Sequence, residues 1–548
     1  MTQTPPDSAP NSPRNSAPAS GPQPGGPARR NAFTRFLDGV EWLGNLLPHP
    51  VTLFAILAVG MIFLSALFAW LGVAVEDPRP VGAAGRDADG VIEAVSLLTG
   101  DGIRRIFTGL TGNFTSFAPL GVVLVAMLGV GVAERSGLLS AGVRAIVLSA
   151  PRHVVTFAIV FAGVVSNTAS EIGYVVLIPL AGAVFYSLGR HPLAGMAAAF
   201  AGVSGGYSAN LLIGTIDPLL AGITEEAARL IDPSYTVDPT ASYFFMAAST
   251  FLITIVGSLI TIYIVEPKLG PYDSSRADPA VLDDNSMKPL EPIERKGLRM
   301  AGLAMLGVFA LMALTILPEW GILRDPETGD QIRSPFFTGF VTWILLFFVV
   351  LGIAYGRTVG TMRNDRDVID SMASAISTLG LYIVLVFFAA QFVAFFNWSN
   401  IGAITAIAGA QFLQDTGMTG PALFILFILM CCFVNLMLGS ASAQWAVTAP
   451  IFVPMLMLIG YSPEVIQTAY RIGDSTTNII TPMMSYFGLI LAWATRYDKN
   501  LGIGTMIAMM LPYTMFFIVL WTAFFFLWVF GLGLPVGPGT PTFYTPGG

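Results

Sequence analysis

The stretch beginning at Ser166, SNTASEIGYVVLIPLAGAVFYSLGRHPLAGMAAAFAGVSGGYSANLLIG, returns in altered form at Gly439 as GSASAQWAVTAPIFVPMLMLIGYSPEVIQTAYRIGDSTTNIITPMMS. A shift of 271, the difference between Pro450 and Pro179, also superposes Gly189 on Gly460, Pro192 on Pro463, Gly202 on Gly473 and Ser204 on Ser475, without a gap. Apolar residues coincide by chance in any two hydrophobic segments, so the weight lies in the matches on helix breakers. Each copy carries a polar interruption, SNTASE or GSASAQ, inside an apolar run. Unwound backbone is tolerated at membrane depth only where it is buried in protein or lines a cavity. Paired broken segments in two halves of a chain therefore point to a binding site.

Composition agrees. Hydrophobic residues are 54% of the 548 and charged residues 11%, with a mean hydropathy of +0.71, against roughly 25% charge in a soluble domain. The net charge of -7 is spread over loops such as DPAVLDDNS (278–286), and nothing supports nucleic-acid binding. The two cysteines, Cys431 and Cys432, are adjacent in an apolar run and are read as packing residues. Residues 1–32, rich in Pro, Ser, Asn and Gly, read as a disordered tail. Residues 33–50 have the helical spacing of an amphipathic helix lying on the membrane surface.

A spanning helix needs about 20 apolar residues. Full spans are expected near 51–74, 118–134, 192–213, 242–266, 300–317, 335–356, 371–396, 463–488 and 501–531, within a membrane domain 51–533 followed by a tail 534–548. The broken runs 154–188 and 421–459 read as re-entrant hairpins, with a scaffold from the spans in 51–134 and 242–396. The expected fold is thus all-α and polytopic: nine spans plus two hairpins. Arg29, Arg30 and Arg35 before the first span, Lys268, Arg295 and Lys296 after the fourth, Arg357 and Arg363 after the sixth, and Arg496 and Lys499 after the eighth fall on one side. That side is cytoplasmic, placing the N-terminus inside and the uncharged C-terminus outside. An odd number of spans separates the hairpins, so the repeats are inverted.

A charge retained at membrane depth has a task or a partner. Arg471 and Asp474 lie three apart in YRIGDSTTN; they form either a self-neutralising pair or a site in which Arg471 holds a carboxylate and Asp474 a proton or cation. Glu171 stands at the tip of hairpin one. Ser166, Asn167 and Thr168, with Ser475, Thr476 and Asn478 as the symmetric set, either ligate sodium or satisfy loosened backbone. Asp217, in GTIDPLLAG, is a helix stop or a second titratable site. Asn435, Ser442 and Trp445 lie on hairpin two; Trp445, either an interfacial anchor or a stacking platform for an aromatic substrate, superposes on Tyr174 of hairpin one. An aromatic on each hairpin, one Arg and several amides and hydroxyls suit a small aromatic carboxylate. Pro450, Pro463 and Pro482 are candidate hinges. His49, His153 and His191 read as structural residues. No triad accompanies the Ser and Cys residues, so an enzyme is not expected, and GVSGGYSAN lacks the Gly-Lys-Ser/Thr ending of a phosphate loop, so neither is an ATP motor.

The motifs SNTASEIGYVVLIPL, GRHPLAGMAAAFAGVSGGYSANLLIGTIDPLLAG and YRIGDSTTNIITPMMSYF resemble those of the AbgT family of bacterial transporters, over nearly the whole chain after the tail. The resemblance implies nine spans and two hairpins, a homodimer in the inner membrane, and a fold shared with elevator-type ion transporters. It implies uptake of p-aminobenzoyl-glutamate or proton-driven export of p-aminobenzoate and sulfonamide antimetabolites, without a cofactor. It places transport roles on Asn435, Ser442, Trp445, Pro463, Arg471, Asp474 and Pro482, with Asp217 as a further match. A sodium-coupled dicarboxylate carrier and a passive channel are the competing readings.

Overall fold

Apolar segments with few charges satisfy their backbone internally only as helices. In the computed structural model, which describes residues 48, 50–77, 89–169, 173–273, 289–331 and 334–545, helices provide almost all the regular structure. The tail 1–32, nearly all of the expected surface helix 33–50, His49 and Glu171 fall outside the described residues.

The helices are α1 (Pro50–Trp70), α2 (Gly100–Thr115), α3 (Ala118–Arg135), α4 (Leu138–Ser149), α5 (Val155–Ser166), α6 (Ile178–Ser187), α7 (Pro192–Phe200), α8 (Ile216–Ala228), α9 (Tyr243–Ile260), α10 (Pro292–Ile316), α11 (Phe340–Val359), α12 (Asp365–Thr378), α13 (Gly380–Trp398), α14 (Ile401–Asp415), α15 (Leu423–Met437), α16 (Ala441–Ile459), α17 (Pro463–Thr477), α18 (Phe487–Thr495) and α19 (Ile503–Phe526). A small antiparallel ribbon, β1 (Ala74–Glu76) with β2 (Val91–Glu93), follows α1. Among the described residues, eight helical stretches are long and apolar enough to cross a membrane: Pro50–Trp70, Gly100–Arg135, Tyr243–Leu269, Pro292–Ile316, Phe340–Val359, Gly380–Trp398, Ala441–Ile459 and Ile503–Gly531. The chain is a helical, polytopic membrane protein.

All of these except Ala441–Ile459 answer to expected spans. The stretches 192–213 and 463–488, expected as continuous spans, are not continuous helices. After α7 a π-turn, Ala201–Gly205, leads into irregular backbone at 206–215. There the Asn210 carboxamide oxygen accepts from the N–H groups of Leu211 (2.8 Å) and Leu212 (3.3 Å), offering the backbone a partner other than a helix. In the second copy, α17 ends at Thr477. The hydroxyls of Thr476 and Thr477 bond back to the carbonyls of Ile472 (2.8 Å) and Gly473 (3.1 Å), and Pro482 removes a donor shortly after. The stretch 371–396 is divided between α12 and α13 at Leu379. Within hairpin one, α5 has 12 residues, about 18 Å of helix against the roughly 30 Å of a hydrocarbon core. Hairpin two breaks at 438–440, but its second arm is the 19-residue α16, long enough to cross alone.

The two copies make matching contacts. Every residue of α7 and of α17 is buried, so the two symmetry-related helices form the centre of the molecule. Gly202 sits against the carbonyl of Val160 on α5, and Gly473 against the carbonyl of Ile428 on α15. Each glycine thus lets a central helix lie on the first arm of its own hairpin, the close approach that membrane helices make through small residues. Around this centre, α9 packs on α5 and α19, and α15 on α17. A second group joins α1 to α13, α10 to α11, and α3 to α11 and α12, while α8 touches both α3 and α16. The sequence placed 242–266 with the scaffold, yet α9 lies with the hairpin helices.

A Cβ on residue 473 would lie 2.5 Å from Cys431 Cβ and 2.7 Å from the Ile428 carbonyl oxygen. Gly473→Ala is therefore expected to cost about 1–3 kcal/mol. Gly504→Ala, with nothing within 4 Å of its Cβ, is expected to cost nothing measurable. Thermal unfolding of the purified protein in detergent checks this: a lowered midpoint for the first and not the second is expected, and equal midpoints would contradict the packing.

Candidate functional site

Arg471 reaches away from its own helix. Its Nη2 lies 2.6 Å from Asp217 Oδ1, an ion pair in which both side chains are 4% exposed. Asp217 stands in the first turn of α8, and its other oxygen accepts the Gly214 N–H at 2.7 Å. The ion-pair partner of Arg471 is Asp217, across the repeat boundary, and not Asp474 of its own helix. Asp217 therefore does more than stop a helix.

Asp474, one turn on, is 1% exposed, and its Oδ1 has no hydrogen-bond partner. Its backbone carbonyl accepts from Asn435 Nδ2 at 2.6 Å, and the same nitrogen lies 2.9 Å from both Thr477 Oγ1 and Asn478 Oδ1. With two hydrogens for three acceptors, Asn435 ties the end of α15 to the break after α17 by bonds that can exchange. Hairpin one makes the matching contact. Asn167 Nδ2 donates to the Gly206 carbonyl at 3.3 Å, and Thr168 pairs with Asn210 at 3.0 Å. The two breaks meet where the Ser208 N–H donates to Ser475 Oγ at 3.0 Å. Ser166 and Thr476 spend their hydroxyl protons on helix carbonyls, Gly163 at 2.7 Å and Ile472 at 2.8 Å.

Trp445 is fully buried. Its ring stacks on Tyr470 (centroids 4.2 Å apart, 22° between planes) and its Nε1 donates to Thr224 Oγ1 at 2.9 Å. Its repeat partner Tyr174 instead lines a cavity and stacks on Tyr486 at 4.6 Å and 7°. The cavity, of about 440 Å³, lies between the hairpin tips and the two breaks, within the roughly 300–1,000 Å³ of small-molecule sites. Tyr174, Tyr207, Tyr382 and Tyr486 line it with Ser440, Ser442 and Asn478, and Glu134 stands at its edge on α3. Ser440 caps α16 and lies 3.4 Å from Ser442 through the two hydroxyls. Flat π-faces beside hydroxyl and amide groups bind a planar, polar ring.

Of the expected residues, Ser442 and Asn478 reach the cavity; Asn435, Trp445, Arg471, Asp474 and Asp217 form the buried layer behind it. Pro450 lies inside α16, Pro463 opens α17, where proline is normal, and Pro482 lies in the break. Tyr207, Tyr382, Tyr486 and Glu134 were not singled out from the sequence. For Tyr207 a signal existed, since it lies in the polar run GGYSAN that follows the first central helix.

Removing one partner of the Arg471–Asp217 pair leaves a buried charge uncompensated, at about 3–5 kcal/mol. Arg471→Met and Asp217→Leu are each expected to lower the unfolding midpoint sharply, and the double variant less than their sum. Additive losses would contradict a direct pair.

Comparison with known proteins agrees with this architecture. The model of the AbgT putative transporter family matches residues 35–544. The chain is 37% identical over 501 residues to the p-aminobenzoyl-glutamate transport protein of Escherichia coli (strain K12), covering 91% of this chain and 95% of that one. Among solved structures, Neisseria gonorrhoeae MtrF, from a class of antimetabolite efflux pumps, is 60% identical with a TM-score of 0.87, covering 92% of this chain and 100% of its own. The YdaH transporter of Alcanivorax borkumensis, described as having an unusual topology, is 46% identical with a TM-score of 0.82, covering 90% and 100%.

Proposed function

The chain belongs to the AbgT transporter family, and from that premise we propose that it is a secondary active transporter of small aromatic carboxylates and related antimetabolites. The observation that carries this reading is the tyrosine-lined cavity held between two broken segments. The E. coli relative and MtrF suggest p-aminobenzoyl-glutamate, p-aminobenzoate or a sulfonamide as substrate. In this reading the hairpins are re-entrant, nine spans complete an inverted repeat, and the protein works as a homodimer of elevator type in the inner membrane. With the Lys and Arg clusters inside, Glu134 and the cavity mouth face the cytoplasm.

Coupling follows from the layer behind the cavity. Asp474 has one oxygen without a partner, and Arg471 lies one turn away but bound to Asp217. Taking up a proton at Asp474 changes the charge that Arg471 shares between two carboxylates, and so the strength with which α17 is held to α8. A sodium-coupled variant is favoured by one feature: Asp474 Oδ1 and Asn435 Oδ1 are both buried without partners, as hard oxygens awaiting a cation are.

The test is uptake of labelled p-aminobenzoyl-glutamate and of a sulfonamide into proteoliposomes, with proton and sodium gradients imposed separately. Proton-driven movement that falls by about tenfold or more in Asp474→Asn is expected, a loss of at least about 1.4 kcal/mol in the driven step. Undiminished accumulation in the variant would remove Asp474 from the coupling.

A further inference from the structure

Helix α17 opens on a carboxyl that lies outside the cavity and the layer behind it. Glu464, in its first turn, is 5% exposed, and among the described residues no Lys or Arg forms an ion pair with it. The Tyr235 hydroxyl lies 3.1 and 3.0 Å from its two oxygens, and one phenolic proton can serve only one of them. Ser462, the helix cap, is its other side-chain partner.

The charged surroundings are one-sided. Asp238 and Tyr235 face Glu464 from the loop 229–242, with Glu225 and Arg229 at the end of α8 behind them. Arg229 is already spent: it pairs with Glu225 at 2.6 Å and Glu226 at 3.7 Å, and its Nε donates to the Tyr235 carbonyl at 3.3 Å. Asp232 accepts from Tyr544 at 3.4 Å. Burial, and then the charge of Glu225, push the Asp238 carboxyl above the usual carboxylate range, and burial followed by Glu464 pushes the Tyr235 phenol up. The helix N-terminus and the Tyr235 hydroxyl favour an ionised Glu464, whereas burial and the Asp238 carboxyl oppose it.

The carboxyl is covered yet close to water. The C-terminal segment straps the turn before α17, with the Ser462 N–H on the Thr542 carbonyl at 3.2 Å and the Tyr544 N–H on the Gly460 carbonyl at 2.8 Å. Beside it, Pro233 and Ser234 are exposed and Tyr235 and Asp238 half-buried. Inward, the next turn of α17 carries Gln467 and Thr468, hydrogen-bonded to Thr224 at 2.6 Å and Ser242 at 2.9 Å. Asp474 follows about 15 Å from Glu464 at 1.5 Å per residue.

We propose that Glu464 is a second proton-binding carboxyl of this transporter, loaded from the aqueous phase on the side of the 229–242 loop, and that it makes transport respond to the pH of that side. This rests on the proton-coupled reading above. On loading, a hydronium proton passes to one carboxylate oxygen and the charge is lost. The new O–H donates to the Tyr235 oxygen, and the phenol keeps its own proton. The loop then no longer donates to an anion at the head of α17, and its hold on the helix weakens.

The test uses the full-length protein in proteoliposomes, with transport measured against pH on the loop side at fixed pH on the other. Glu464→Gln is expected to abolish the pH step seen in the wild type and to lower gradient-driven accumulation about tenfold. Tyr235→Phe removes a donor that favours the ionised form, so it is expected to move the step to higher pH. A purely structural Glu464 would instead lower rates uniformly and leave the step in place, which would overturn the proposal. Infrared difference spectra of the same proteins, titrated without substrate, read the carboxyl directly. A protonated-carboxyl band lost in Glu464→Gln supports the proposal, and an unchanged spectrum overturns it. Transport driven by sodium alone in the wild type would defeat the proton-coupled reading, and the spectra would then decide Glu464 by themselves.

Discussion

A guanidinium and a carboxylate 2.6 Å apart, each 4% exposed, hold the two repeats together. Without Asp217 the guanidinium would lose its ion-pair partner in a low-dielectric interior, at about 3–5 kcal/mol. With it, α8 and α17 are fixed side by side, and further contacts follow. Thr224 on α8 takes the Trp445 N–H and gives its own proton to Gln467 of α17 at 2.6 Å. Tyr470 on α17 stacks on Trp445 and donates to the Ala441 carbonyl at 2.6 Å. The second hairpin is thereby anchored to a helix of the first repeat.

The second constraint is the backbone. A chain that leaves the helical state at membrane depth must find partners for every freed N–H and C=O. Here Asn435, Asn210, Asn167 and the run Ser475–Thr476–Thr477 supply them, which is why both breaks are rich in short polar side chains. The space left between the breaks is filled by tyrosine faces, which are apolar enough for the depth yet carry a hydroxyl. A cavity suited to planar, polar solutes is a consequence of how the breaks are satisfied.

Much of this was legible in the sequence because helix breakers are local. Glycine and proline act where they stand, so the 271-residue shift located both broken segments, and Gly202 and Gly473 proved to be the seats of the central helices. The ends of those helices were not legible: apolar residues such as Leu211, Leu212, Ile479 and Ile480 continue past the breaks, and hydropathy cannot distinguish a helix from buried loop. Partners distant in sequence were also hidden. Asp217 is 254 residues from Arg471, so the nearer Asp474 was the natural guess for an ion pair. The sequence of hairpin two does not say which way Trp445 faces; in the structure its ring lies on Tyr470, and its repeat partner Tyr174 lines the cavity.

A cavity that holds the transported molecule is shielded when that molecule is bound. Ser442 lies on its wall, and the native Cys431 and Cys432 are 0% and 6% exposed, so a thiol placed at 442 is the accessible one. The direct measurement is labelling of Ser442→Cys in proteoliposomes by a membrane-impermeant maleimide, with and without saturating p-aminobenzoyl-glutamate or sulfonamide. Rapid labelling that the transported compound suppresses is expected. Labelling at the same rate in the presence of a compound the protein demonstrably transports would contradict it.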